Sequence, residues 1–132
     1  MAEKQRQNGS VLLIVVFAVA LLSVLTIGIL EMHTEEIQLM QNQVNAVQAL
    51  ATAEAGLNDA FARIRDGNDP NIASTSFNGG SYTVTVTGTL PNRTITSTAT
   101  TSQGFAARAK TDVTVGSSSP YVIRIDNLRI NE

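Results

Sequence analysis

SVLLIVVFAVALLSVLTIGILE, residues 10–31, is the stretch on which the fold turns. From Val11 to Leu30 it carries no charge, and only Ser23, Thr26 and Gly28 interrupt the apolar run. At about 1.5 Å per residue a helix of this length rises roughly 30 Å, the hydrocarbon thickness of a bilayer. The segment is therefore expected to cross a membrane. A secretory signal has a shorter apolar core, about 7 to 15 residues, followed by small residues at a cleavage site. Here the run ends in Glu31-Met32-His33, so an ordinary cleavable signal is disfavoured. Lys4 and Arg6 precede the run and Glu31, Glu35 and Glu36 follow it. The positive-inside bias then keeps the N-terminus cytoplasmic and sends the rest to the periplasm or the exterior. Ser23 and Thr26 are expected to bond back to the carbonyls of their own helix, which satisfies each hydroxyl locally.

Beyond Glu31 no proline occurs before Pro70, and Gly56 is the sole glycine before Gly67. Nothing forces the helix to stop at the membrane surface. At 100° per residue Ile37, Met40, Val44, Val47, Leu50, Leu57, Phe61 and Ile64 share one broad face, with Gln41, Asn45, Gln48, Thr52, Asp59 and Arg63 opposite. Asp66-Gly67-Asn68-Asp69-Pro70 supplies the stop: a glycine suited to a left-handed C-cap, then a proline that cannot continue the helix. The helix is thus expected over about 10–66. Only its last third can be covered by so small a domain, which leaves the first half for lipid or for other helices. The alanines at 46, 49, 51, 53, 55, 60 and 62 read as good helix formers, or as permitting close helix approach. Gly56 weakens a helix and so needs a packing reason. Glu54 falls inside the apolar face, where it either reaches water at the edge or pairs with an arginine.

From Ser74 onward Thr, Ser, Gly and Val dominate, and the period changes from 3.6 to 2. SYTVTVTGTL (81–90) alternates Tyr82, Val84 and Val86 with threonines, and RTITSTAT (93–100) follows a Pro91-Asn92 turn. AARAKTDVTV (106–115) alternates Ala107, Ala109, Val113 and Val115 with Arg108, Lys110, Asp112 and Thr114. Each strand has one apolar and one polar face, as in an antiparallel sheet wet on one side. The available apolar partner is the helix at Leu57, Phe61 and Ile64, so helix on sheet, an α+β fold, is the economical architecture. YVIRIDNLRI (121–130) either closes the sheet or docks on a partner as an added strand. Threonine on the wet face is what β-propensity alone predicts, ahead of an ice-binding or glycan-binding surface.

Composition narrows the function classes. The 132 residues have a formal net charge of −2 and scattered basic side chains, which gives no phosphate-binding patch and argues against nucleic acid. With no cysteine and the lone His33, neither a disulfide framework nor a Cys- or His-based metal centre can be built. The 66–69 run breaks calcium-loop spacing at Pro70 and reads as turn chemistry. Asn92-Arg93-Thr94 matches the glycosylation acceptor pattern and marks an exposed turn. No catalytic arrangement stands out, and no enzyme, cofactor or metal is expected.

A short basic leader, a glycine, a small residue, about twenty apolar residues, a continuous amphipathic helix and a small sheet together resemble the type IV pilins and the type II secretion pseudopilins. The junction QRQNG|SVLLIVVFAVALL resembles a prepilin peptidase site, implying cleavage between Gly9 and Ser10. AVQALATAEAGLNDAFARIR (46–65) is similar to the helix of minor pilins and K-type pseudopilins, and GGSYTVTVTG (79–88) to the sheet that follows it. The resemblance implies a leader at 1–9 and a transmembrane and assembly half-helix at 10–31, led by Val11, Leu12, Leu13, Ile14 and Phe17. It further implies an amphipathic half-helix at 32–66 and a sheet domain at 67–132. The implied partners are other pilin or pseudopilin subunits, the prepilin peptidase and the inner membrane. One departure stands out: the family's glutamate at the fifth mature position would be Ile14 here. In the family that carboxylate neutralises the N-terminal ammonium of an adjacent subunit, and tip-placed minor subunits lack it. The family's frequent C-terminal disulfide is also absent. The expectation is a minor or tip-type filament subunit, cleaved on the cytoplasmic side of the inner membrane and assembled into an extracellular pilus or a periplasmic pseudopilus. The alternative is an unprocessed single-span protein presenting a small β domain as an adhesin or binding module.

Overall fold

A computed structural model describes the backbone of residues 2–131 and the side chains of residues 9–131. The side chains of Lys4 and Arg6, on which the expected orientation rests, lie outside that range. One helix, α1 (Ala2–Arg65), is followed by five strands: β1 (Ile72–Phe77), β2 (Gly80–Thr87), β3 (Asn92–Thr101), β4 (Ala106–Val115) and β5 (Ile123–Ile130). The strands form one antiparallel sheet in the order β1-β2-β3-β4-β5. The chain separates into two compact units, Met1–Gln41 and Asn42–Glu132.

The helix starts earlier than the expected residue 10. Glu3-Lys4-Gln5-Arg6-Gln7 is a run of good helix formers, and Gly9 lies inside the helix without breaking it. At the other end the cap forms as the sequence predicts. Gly67 adopts a φ of 76° and donates its N–H to the carbonyl of Ile64 at 3.1 Å, while Asn68 donates to Arg63 at 2.8 Å. These are the paired bonds of a Schellman motif. Arg63 and Arg65 in the last turn complement the negative end of the helix dipole.

In the second unit α1 packs on the sheet through Leu57 and Ile64, as the sequence predicts, but the packing face is turned toward smaller side chains than the periodicity picks out. The buried helix side chains are Ala49, Thr52, Ala53, Leu57, Ala60 and Ile64, with Gly56 buried among them. Thr52, expected on the polar side, is fully buried and donates its hydroxyl to the carbonyl of Gln48 at 2.9 Å. Val44 and Val47, on the broad apolar face read from the periodicity, are exposed, and Leu50 and Phe61 pack only at the margin of the core. The reason is size. Ala49, Ala53, Gly56 and Ala60 meet a sheet surface that includes Ser97, Ala99, Ala107 and Ala109, so the contact is made between small side chains at short range. A Cβ added at Gly56 would collide with the Ser97 hydroxyl and lie 2.8 Å from Cδ2 of Tyr82. The alanines here serve close approach, and Gly56 has its packing reason. Glu54 is exposed and reaches water.

The inner face of the sheet carries Ile72 of β1, Tyr82 and Val84 of β2, Ile95, Ser97, Ala99 and Thr101 of β3, and Ala107 through Val115 in alternation on β4. Thr83, Thr85 and Thr87 stand on the wet side. The Asn78-Gly79 pair, with φ values of 47° and 76°, makes the tight β1–β2 turn. That dipeptide is a strong hairpin signal, and it marks a first strand that composition alone does not separate from the preceding loop. The segment 121–130 supplies β5, which pairs with β4 and so belongs to the sheet of its own chain.

Replacing Gly56 with Ala gains helix propensity worth up to about 1 kcal/mol, yet overpacking such a contact costs typically 1–3 kcal/mol. Urea unfolding of the Gly56→Ala chain should show a net loss of about 1 kcal/mol or more. The buried Ser97 hydroxyl has no hydrogen-bond partner among the described residues. Ser97→Ala should therefore be tolerated alone and restore part of the stability in the double variant.

Candidate functional site

The residues expected to carry function lie mainly in the first unit. Gly9 and Ser10 are exposed on α1, and nothing lies within 4 Å of the position a Gly9 Cβ would take. Val11, Leu12, Leu13, Ile14 and Phe17 are each between 60% and 72% exposed. Every described side chain from Gly9 to Gln41 is exposed. None of these described side chains is buried against the rest of the chain. The helix is long and apolar enough to cross a membrane. Between Val11 and Leu30 its two hydroxyls are satisfied within the helix. The hydroxyls of Ser23 and Thr26 donate to the carbonyls of Val19 and Leu22, both at 2.8 Å, and Thr34 donates to Leu30 at 2.9 Å. The segment therefore presents hydrocarbon on all sides with no unmet donor on its hydroxyls, which suits lipid or a bundle of similar helices.

Leu57 and Ile64 lie in the core of the second unit with 5% and 4% exposure, and Phe61 packs at its margin. The Tyr82 hydroxyl donates to Oδ2 of Asp59 at 3.0 Å and ties β2 to the helix beside Gly56. Desolvation, then the neighbouring Asp59 carboxylate, pushes the Tyr82 phenol above its ordinary range.

At the C-terminal end of α1 a cleft of about 290 Å³ is lined by Ile64, Asp69, Leu90, Arg93, Val115 and Tyr121, among others. Its carboxylate, Asp69, accepts from the backbone N–H of Asn71 at 3.0 Å and from its side-chain amide at 2.9 Å. Those bonds hold it below the usual carboxylate range, and they show the 66–69 run at work as a turn. No group of three or more His, Cys, Asp or Glu side chains that could hold a metal ion occurs among the described residues.

β5 carries a feature that the strand pattern alone leaves hidden. Its aliphatics fall at 123, 125, 128 and 130, which breaks a period of two. A register shift opposite Asp112/Val113 absorbs the extra residue, so that Ile123, Ile125, Leu128 and Ile130 pair with Val115, Val113, Thr111 and Ala109. All four therefore stand on the inner face of the sheet. Ile125, Leu128 and Ile130 are nonetheless 54%, 53% and 43% exposed. The sequence signal was the doubled spacer Asp126-Asn127 between two alternating pairs.

On the opposite face β5 is held by charge. Asp112 accepts from the Thr94 hydroxyl at 2.7 Å and from Arg129 at 2.8 Å; Asp126 accepts from Thr114 at 2.6 Å and from Arg124 at 2.8 Å. The Thr94 and Arg129 bonds hold Asp112 below its ordinary 3.8, and the Thr114 bond does most to lower Asp126. A carboxylate whose folded pKa is depressed contributes stability above its unfolded value and loses it as pH falls through the folded one. Amide exchange in β5 should therefore accelerate as pH falls below about 4, after correction for intrinsic rates. Asp112→Asn should flatten that dependence.

Comparison with protein-family models, with curated proteins and with solved structures returns no match.

Proposed function

We propose that this chain is a structural subunit of a filament of the type IV pilus or type II secretion kind, of the minor or tip type. The carrying observation is the uncharged helix from Val11 to Leu30, exposed on every side and with its hydroxyls satisfied internally. Such a surface is at home in lipid and equally in a bundle of apolar helices, so transfer between them exposes little hydrocarbon to water. Gly9 and Ser10 lie exposed at the head of that segment, where a peptidase on the cytoplasmic side would act. The cleaved chain would begin at Ser10 and keep its apolar helix. Ile14 stands where the bulk subunits of such filaments carry a glutamate, so this chain offers no carboxylate to a neighbour's ammonium at that depth. An unpaired charge in hydrocarbon is expensive, which fits a position with no subunit relying on that pairing.

Mass spectrometry of the native N-terminus in cells that contain a prepilin peptidase should find Ser10 as the first residue, and Gly9→Val should leave the chain uncut. Recovery of only the full-length chain from such cells would sink the filament reading in favour of an unprocessed, single-span membrane protein that displays its β domain.

A further inference from the structure

The alternation of β3 turns Arg93 inward, onto the face that carries Ile95, Ser97 and Ala99. It stands one residue beyond Thr94, the last position of β3 that pairs with β2, and lies opposite Val113 of β4. The helix also ends here, so Ile64 and Gly67 line one cleft with Arg93, wholly within the second unit. Arg93 is partly buried, and its Nε is shut off from solvent with no hydrogen-bond partner among the described residues. A stem that snorkels toward water accounts for an exposed guanidinium tip. It leaves a buried N–H of a charged group without an acceptor, which is costly.

The carboxylate of the same cleft does not supply that acceptor. Asp69 and Arg93 line it together without forming an ion pair. Asp69 takes both of its bonds on Oδ1, from the backbone N–H and the side-chain amide of Asn71, which leaves Oδ2 for another donor. Those bonds do most to lower Asp69, and the charges of Arg63 and Arg93 add to them, so cation and carboxylate are within electrostatic reach. A group that bridges the two must offer an acceptor to Arg93 and a donor to Asp69. The rest of the wall is largely aliphatic and aromatic: Ile64, Leu90, Val115 and Tyr121. Leu90 is 56% exposed, so apolar surface there is still open to be covered.

We propose that this cleft binds a free α-amino acid with an aliphatic side chain, its carboxylate on Arg93 and its ammonium on Asp69. A simple anion would satisfy Arg93 and be repelled by Asp69, and a simple amine would do the reverse. A zwitterion makes a charge-assisted bond at both ends and leaves no charge unmatched. The volume of about 290 Å³ lies at the lower end of small-molecule sites, which restricts the occupant to a small ligand. The site needs neither leader cleavage nor filament assembly, so it stands apart from the filament reading.

The test is a titration of the full-length, isotope-labelled chain in detergent micelles, followed by NMR at the backbone amides of Asn68 and Tyr121 and at the Arg93 Nε–H. The probes are leucine, isocaproate, which lacks the ammonium, and isoamylamine, which lacks the carboxylate. Leucine should shift these signals to saturation, with each analogue binding at least about tenfold more weakly for the loss of one charged bond. Arg93→Gln should abolish the saturable shift while the amides of Tyr82 and Ile95 keep their positions. Isocaproate binding as tightly as leucine would overturn the proposal in favour of a carboxylate site that ignores Asp69. Isoamylamine matching leucine, no saturable shift with leucine, or leucine binding that survives Arg93→Gln would each overturn it as well. The comparison of the three probes uses the unaltered chain, so it decides the matter even where Arg93→Gln does not fold.

Discussion

The approach of the helix backbone to the sheet at Gly56 is the constraint on which the rest of the second unit depends. With no side chain at 56, the Tyr82 ring and Ser97 come up against the helix itself, and Ala49, Ala53 and Ala60 extend that narrow seam along α1. A seam of small residues fixes which side of the helix faces the sheet. It therefore also fixes which side does not: Val44 and Val47 are left outward, and Ile125, Leu128 and Ile130 of β5 are left exposed. The two uncovered apolar surfaces are consequences of one close contact.

Hydrophobic periodicity made the architecture legible. The length of α1, its Schellman stop at Gly67 and the alternating strands β2 and β4 all follow from patterns with a simple physical cause. The packing face was harder to read because hydrophobic size misleads when helix and sheet approach closely. Val44 and Val47 look like core and are not, whereas Thr52 looks like surface and is buried once its hydroxyl is satisfied by Gln48. Of the candidate assembly segment, the uncharged run from Val11 to Leu30 could be read directly. The uncovered face of β5 could not, because its recognition depends on the bulge that realigns Leu128 and Ile130 with Ile123 and Ile125.

The two units divide the work by solvent. Between Val11 and Leu30 the first offers uncharged, exposed side chains and satisfies its Ser23 and Thr26 hydroxyls within the helix, as a segment that crosses a bilayer must. The second is a sheet domain for water, with threonines on one face and a small-residue core on the other. Asp112 and Asp126 fasten β5 at its edge by bonds that need ionised carboxylates. The proposed filament role asks for both: a chain held in a membrane before it joins a polymer, and a sheet that folds outside it.

The central claim is that residues 11–30 serve twice, first in lipid and then among helices. The most direct measurement is the distribution of the chain between lipid-free sheared filaments and the membrane fraction, with residues 11–30 assayed for protection from protease in the filaments. The account predicts that the chain occurs in both, and that the apolar segment is intact and protected within the polymer. A chain found only in the membrane fraction, under conditions where filaments assemble, would contradict it.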